Sequence, residues 1–263
     1  MNFFYFSNNN KIIKALDLIK KIDTLFIDLE IIGKKIRQAN TNSLISEHSF
    51  DDISRVNKFM RNTILGARIN PINSNSKYEI NECINRGAKV LMLPMFKSAD
   101  EVLKCLDYIN GRSKLDLLFE TPESLINIKE FPLDQIRYVH FGINDIALAL
   151  KYKNMFECFI SGVLDGPTNY LKIKNKKFGI GGIGSFDAKP IPPKLILEMH
   201  KYYSSSRIIL SRSFLNKIDL KSSEDSMLSS ELQFNLLDKL ISSIMSQEVN
   251  NTENIKLDLQ KFF

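Results

Sequence analysis

The sequence predicts a single α/β domain built as a (β/α)8 barrel, and three observations predict it. Short, apolar, β-rich runs recur eight times along the 263 residues. Each run is followed by a turn and a stretch with helical spacing, the pattern of a parallel sheet with helices outside it. The length matches the roughly 250 residues that such a barrel needs, so a second domain would be tight. The rival arrangement is an open, doubly wound sheet. No G-x-G-x-x-G opens after the first run, which weakens a dinucleotide-binding version of that rival.

The eight runs are Asn2–Ser7, Thr24–Glu30, Thr63–Asn70, Lys89–Met95, Leu115–Glu120, Arg137–Gly142, Phe178–Gly182 and Arg207–Ser213. Closing them gives a TIM barrel. Between them, Ile12–Ile22 has apolar residues at helical spacing. Phe50–Phe59 begins with Asp51 and Asp52, and acidic residues favour a helix N-terminus. Ser98 with Glu101 three residues on has the form of a capping box for a helix over Ala99–Ile109, with Gly111 as its stop. Pro122 fits the first turn of a helix, where a missing N–H costs little, and Pro192 and Pro193 open another. Ser229–Gln247 is an amphipathic helix that would cap the barrel or meet a partner subunit. Residues 1–249 are thus expected as one barrel domain with its C-terminal helix, and 250–263 as a polar, loosely held tail.

Hydrophobic residues make up 44% and charged residues 25%, which is ordinary for a soluble globular protein. The net charge of +6 invites a nucleic-acid reading. The lysines are scattered, however, apart from a local cluster at Lys172, Lys174, Lys176 and Lys177. No helix carries a basic stripe with interleaved aromatics, so no nucleic-acid partner is expected. An anionic substrate suits the same charge. Cys83, Cys105 and Cys158 have no metal-ligand spacing and are odd in number, which points to a reducing, cytoplasmic setting. Met1–Ser7 is too short for a signal sequence. No apolar run approaches the ~20 residues of a membrane span, so no membrane partner is expected.

In a barrel, catalytic residues sit at the C-terminal ends of strands. The polar residues ending the runs are Asp28 and Glu30, Arg68 and Asn70, Glu120, and Asn144 with Asp145. Four carboxylates and one arginine therefore face one mouth. Crowded carboxylates raise one another's pKa unless a counter-charge intervenes, and a divalent cation supplies one. Hard oxygen donors with only His48, His140 and His200 available favour Mg2+ or Mn2+ over zinc. Bland readings stand beside these. Glu120 and Asp145 are also placed as helix-terminal acids, and Arg68 as the ion-pair partner of Asp28 or Glu30. The run Phe178–Gly184 (FGIGGIG) reads better as a strand needing close backbone approach than as a phosphate cradle. His140 reads as a core histidine, and Arg212 as a loop arginine that could also meet a substrate anion. Lys97 and Ser98 follow the fourth run within reach of the mouth.

The ordered strings FIDLEIIGK, ARIN, GAKVLMLPMFKSADEV, LLFETPESLINI and VHFGINDIALAL, spanning about Thr24 to Leu150, resemble the HpcH/HpaI aldolase and citrate lyase β-chain family. The resemblance implies a pyruvate/phosphoenolpyruvate-type barrel with Mg2+ or Mn2+. It implies metal binding by Glu120 in LFET and Asp145 in FGIND. It makes Arg68 in ARIN a substrate-binding and catalytic residue, with Asp28 and Glu30 as the strand-two acids. Asp28, or a metal-bound water, would serve as base, and Glu30 would help bind substrate. Two positions depart from the family. Ile31 stands where aldolase members carry histidine and citrate-lyase-like members aspartate. Met95 stands where a lysine often follows the strand-four proline. The implied activity is carbon–carbon lyase or aldolase chemistry on a 2-keto acid or related carboxylate, with a possible homo-oligomer as the assembly. Two alternatives stay open: a barrel that has lost this chemistry and binds an anionic metabolite or protein partner, and a transferase using a phosphoenolpyruvate-like or sugar-acid substrate.

Overall fold

The computed structural model describes residues 1–34, 48–186, 191–215, 223–246 and 252–263. Eight parallel strands close in sequence order into a barrel. They are β1 (Asn2–Phe6), β2 (Ile22–Asp28), β3 (Ile64–Arg68), β4 (Val90–Leu93), β5 (Lys114–Phe119), β6 (Tyr138–Phe141), β7 (Phe178–Ile183) and β8 (Arg207–Leu210). All eight expected runs are strands, and β1 pairs with β8 to complete the ring.

The helices follow with small differences from expectation. α1 spans Asn10–Ile19 rather than Ile12–Ile22. It starts early because the Asn9 side chain accepts from the N–H groups of Lys11 and Ile12. It ends early because Lys20 turns left-handed at φ 58°, which frees Ile22 to begin β2. α2 spans Phe50–Asn57, α3 Ser76–Asn85 and α4 Ala99–Ile109. The Ser98–Glu101 capping box is formed, and Asn110 rather than Gly111 takes the left-handed C-cap. α5 (Pro122–Ile126) starts on its proline. α6 (Ile143–Ala149), α7 (Glu157–Ile160) and α8 (Asp165–Ile173) follow, then α9 (Pro193–Tyr203) behind Pro192, and α10 (Arg212–Leu215).

α11 (Ser223–Ser246) is longer than expected and packs on α1 and α9 outside the barrel. Its Phe234, Leu237 and Ile244 are buried, with the Phe234 ring against Phe3 and Phe214. Gln247 and the start of the expected tail lie outside the described residues. The rest of that tail is not loose: α12 (Thr252–Gln260) packs on α9 and α7, and Leu259 is fully buried. One apolar residue at each helical turn, Ile255 and then Leu259, gives the segment a side to bury.

The barrel interior shows why the polar residues gather where they do. Side chains alternate across a strand. Phe4, Phe26, Val90, Met92 and Leu118 form a separate inner cluster from the large core between strands and helices. One layer below, Asp116 takes a two-pronged hydrogen bond from Arg137 and a third from fully buried Arg207, whose guanidinium lies over the Phe4 ring. That ionic and aromatic plug fills the N-terminal end. One layer above, the same alternation (Thr24, Phe26, Asp28; Asp116, Leu118, Glu120) turns Asp28, Arg68 and Glu120 into the C-terminal mouth.

Candidate active site

Arg68 is the hub of the mouth. Its register partner across β2–β3 is Asp28. Arg68 Nε and Nη2 donate to Asp28 Oδ1 and Oδ2, each at 2.8 Å, and Nη1 lies 3.4 Å from Glu30 Oε2. The guanidinium also lies over the Phe6 ring, 5.0 Å from its centre. Lys34 completes the group: its ammonium is 2.7 Å from Asp28 Oδ2 and 3.8 Å from Glu30 Oε2, and it is buried. Two carboxylates and two cations thus balance in a buried cluster, the condition under which buried charge is tolerable. Burial alone would raise the Asp28 pKa, but the charges and hydrogen bonds of Arg68 and Lys34 outweigh it and hold the carboxyl well below the usual range. Burial likewise opposes the Arg68 charge, and Asp28, Glu30 and Glu120 more than restore it.

Asn70, also named from sequence, supports the scaffold. Its Oδ1 accepts from the N–H groups of Ile31 and Ile32, and its amide donates to Leu29 O and Glu79 Oε1. It therefore fixes the chain as it leaves β2.

Glu120, just beyond β5, and Asp145, on the first turn of α6, are both buried. They line one cavity of about 520 Å3 at the mouth. Gly142, between β6 and α6, makes room for Glu120: a Cβ there would lie 2.6 Å from Glu120 Cγ and 2.7 Å from Oε1. Among the described residues, no group of three or more His, Cys, Asp or Glu side chains forms a protein-only metal cage. A pair of carboxylates fits Mg2+, which keeps several waters and is commonly held by one or two protein carboxylates plus substrate oxygens.

The remaining candidates take other places. His140 is fully buried in β6, and its Nε2 donates to Gly181 O. Burial, with the Arg207 charge adding to it, keeps its pKa well below the usual value. The glycine run is β7 packed close to its neighbours: a Cβ on Gly179 would lie 2.4 Å from His140 Nδ1 and 2.7 Å from Arg207 O. Ser98 caps α4, while Lys97 reaches the cavity rim and pairs with Glu123 at 3.0 Å. Arg212 begins α10 at the end of β8, where its charge acts on Tyr5 and His48.

Sequence reasoning missed three residues here. Lys34 lies inside FIDLEIIGK, and its spacing four after Glu30 was the available signal. Gly142 stood in FGIND with no mark of its role. His48 carried no signal at all, because its partner is 20 residues away: its Nδ1 accepts from the Asp28 N–H at 2.7 Å. Burial lowers the His48 pKa, with Asp28 and Asp52 opposing and Arg212 and Lys34 assisting.

Solved structures share this architecture. The HpcH/HpaI aldolase from Desulfitobacterium hafniense DCB-2 matches over 95% of both chains at a TM-score of 0.60, with 11% identity. The fold is that of this aldolase. An HpcH/HpaI aldolase/citrate lyase family protein from Burkholderia cenocepacia J2315 matches over 90% of this chain and 94% of its own, at a TM-score of 0.59 and 11% identity. The citrate synthase SbnG matches over 90% and 94%, at 0.58 and 12%. No family model and no curated protein sequence matches this chain. Among the described residues, no helix is long and apolar enough to cross a membrane.

Proposed function

We propose that this chain is a divalent-metal-dependent carbon–carbon lyase of the HpcH/HpaI aldolase and citrate lyase type, acting on a 2-keto acid or related carboxylate. The observation that carries the reading is the pairing of Glu120 and Asp145 on one cavity at the barrel mouth, with the Arg68 cation near enough for the Glu120 charge to act on it. The shared fold supports it. So do the motifs LFET, FGIND and ARIN in their order.

Glu120 and Asp145 are the residues to hold Mg2+ or Mn2+. The ion, when bound, supplies Lewis acidity toward a keto or carboxylate oxygen. Arg68 presents a fixed cation where negative charge develops as the carbon–carbon bond breaks and its electron pair passes to the keto-acid fragment. Glu30 sits against Arg68 Nη1, where it orients the guanidinium that meets the substrate carboxylate. Asp28 is a poor base, because a carboxyl held so acidic has little pull on a proton. Its part is to hold Arg68 by both prongs. The three cysteines are free and buried, in keeping with a reducing, cytoplasmic location.

The test is calorimetric titration of metal-stripped protein with Mg2+ and Mn2+, with and without pyruvate or oxaloacetate, beside Asp145→Asn. Metal that binds wild type, binds more tightly with keto acid, and fails to bind the variant supports the reading. A protein that binds neither metal nor keto acid refutes it.

A further inference from the structure

The cavity lined by Glu120 and Asp145 also has apolar residues on its wall. α6 carries Asp145 on its first turn, and Leu148 and Ala149 stand three and four residues on, so all three share one helix face. Leu148 is 40% exposed, and it lines the same cavity as the two carboxylates. The same cavity is lined by Pro122, at the start of α5, and Met95, just past β4. Met95 takes φ 55°, a left-handed conformation rarely adopted outside glycine. That backbone conformation falls at a residue lining this cavity. Methionine is also the side chain best able to adapt to varied apolar shapes. The Lys97–Glu123 ion pair stands at the exposed rim.

Two buried carboxylates and four apolar side chains on one space of about 520 Å3 imply a ligand with both polar and apolar parts. We infer that the substrate carries a hydrocarbon segment, alkyl or aryl, beyond its keto-acid head, and that Met95, Pro122, Leu148 and Ala149 receive it. The inference rests on the keto-acid reading above and extends it to substrate class. It also gives Met95 a role: its apolar side chain contacts the tail.

Binding tests it without relying on turnover. Straight-chain 2-keto acids from pyruvate to 2-oxooctanoate are titrated into the full chain in Mg2+. Each added methylene buried in the cavity tightens Kd by about three- to four-fold until the space is filled. Leu148→Asn, and separately Ala149→Phe, lower the affinity ratio of 2-oxooctanoate to pyruvate at least tenfold. If pyruvate binds and affinity is flat along the series, the hydrocarbon site is overturned and the keto-acid reading stands. If no member binds, both fall. If the series tightens but neither variant changes the ratio, the tail lies elsewhere and the assignment to this cavity is overturned.

Discussion

Arg68 grips Asp28 with two parallel hydrogen bonds of equal length, across the C-terminal edge of adjacent strands. Such a fork fixes the plane of the guanidinium as well as its position. The stacking of Phe6 and the nearby Glu30 restrict it further. A cation so restrained loses little freedom when a substrate anion arrives, which is the condition for preorganised charge stabilisation.

Asp28→Asn therefore removes one prong and leaves Lys34 and Arg68 short of a negative charge in a buried setting. Stability drops by about 3 kcal/mol in urea unfolding. Arg68→Lys keeps the charge but loses the fork, and kcat/KM for the keto-acid reaction falls about 100-fold. Steady-state kinetics on Arg68→Lys check the second effect. Activity within twofold of wild type would remove Arg68 from the chemistry.

Glu120→Gln keeps shape and removes charge. Mn2+ affinity falls by at least 100-fold while the circular dichroism spectrum is unchanged. Paramagnetic Mn2+ titration reads the affinity directly. Wild-type affinity in this variant would make Glu120 a structural acid at the start of α5.

Gly142→Ala probes the same ligand from outside. The new Cβ would fall well inside contact distance of Glu120 Cγ and Oε1, so the carboxylate must shift. The expected cost is about 1–3 kcal/mol, read as a fall in Tm of several degrees. Mn2+ binding weakens together with it. A variant that loses stability but keeps full metal affinity would show that Glu120's position is not what binds the ion.

Stability should decline as pH falls below about 6.5. Burial lowers the pKa of His48, His140 and His200, the last to about 3. The unfolded chain then binds protons that the fold refuses, so stability is full above the unfolded histidine value and is lost as pH drops through it. Glu79, whose carboxyl burial raises, acts in the opposite sense at lower pH. The Asp28 contribution is lost only below about pH 4, the unfolded carboxyl range. Urea unfolding at pH 7.5 and 5.5 checks the histidine effect, and equal stabilities would contradict it.

The barrel was legible because its signal is local. Eight β-rich runs need only their own side chains to be recognised, and Ser98, Pro122 and Pro193 mark helix starts by chemistry confined to one turn. Glu120, Asp145 and Arg68 were legible because strand ends point to the mouth. What escaped depends on distance in the chain. His48 meets Asp28 across 20 residues, and Gly142 matters only because Glu120 folds against it. Lys34 was visible but reads as a surface lysine until Asp28 and Glu30 are known to be buried. The final helix was missed because its few apolar residues are spread through polar sequence, and only the groove between α7 and α9 gives them a partner.

The most direct test of the central claim is exchange of the pyruvate methyl protons with deuterated solvent, followed by proton NMR. A site that stabilises the enolate speeds this exchange, with solvent water at the open mouth taking the methyl proton, even when the second substrate is unknown. The account predicts exchange by wild type in Mg2+, abolished by EDTA and by Glu120→Gln. No exchange above the metal-only background, or exchange that survives both treatments, would contradict it.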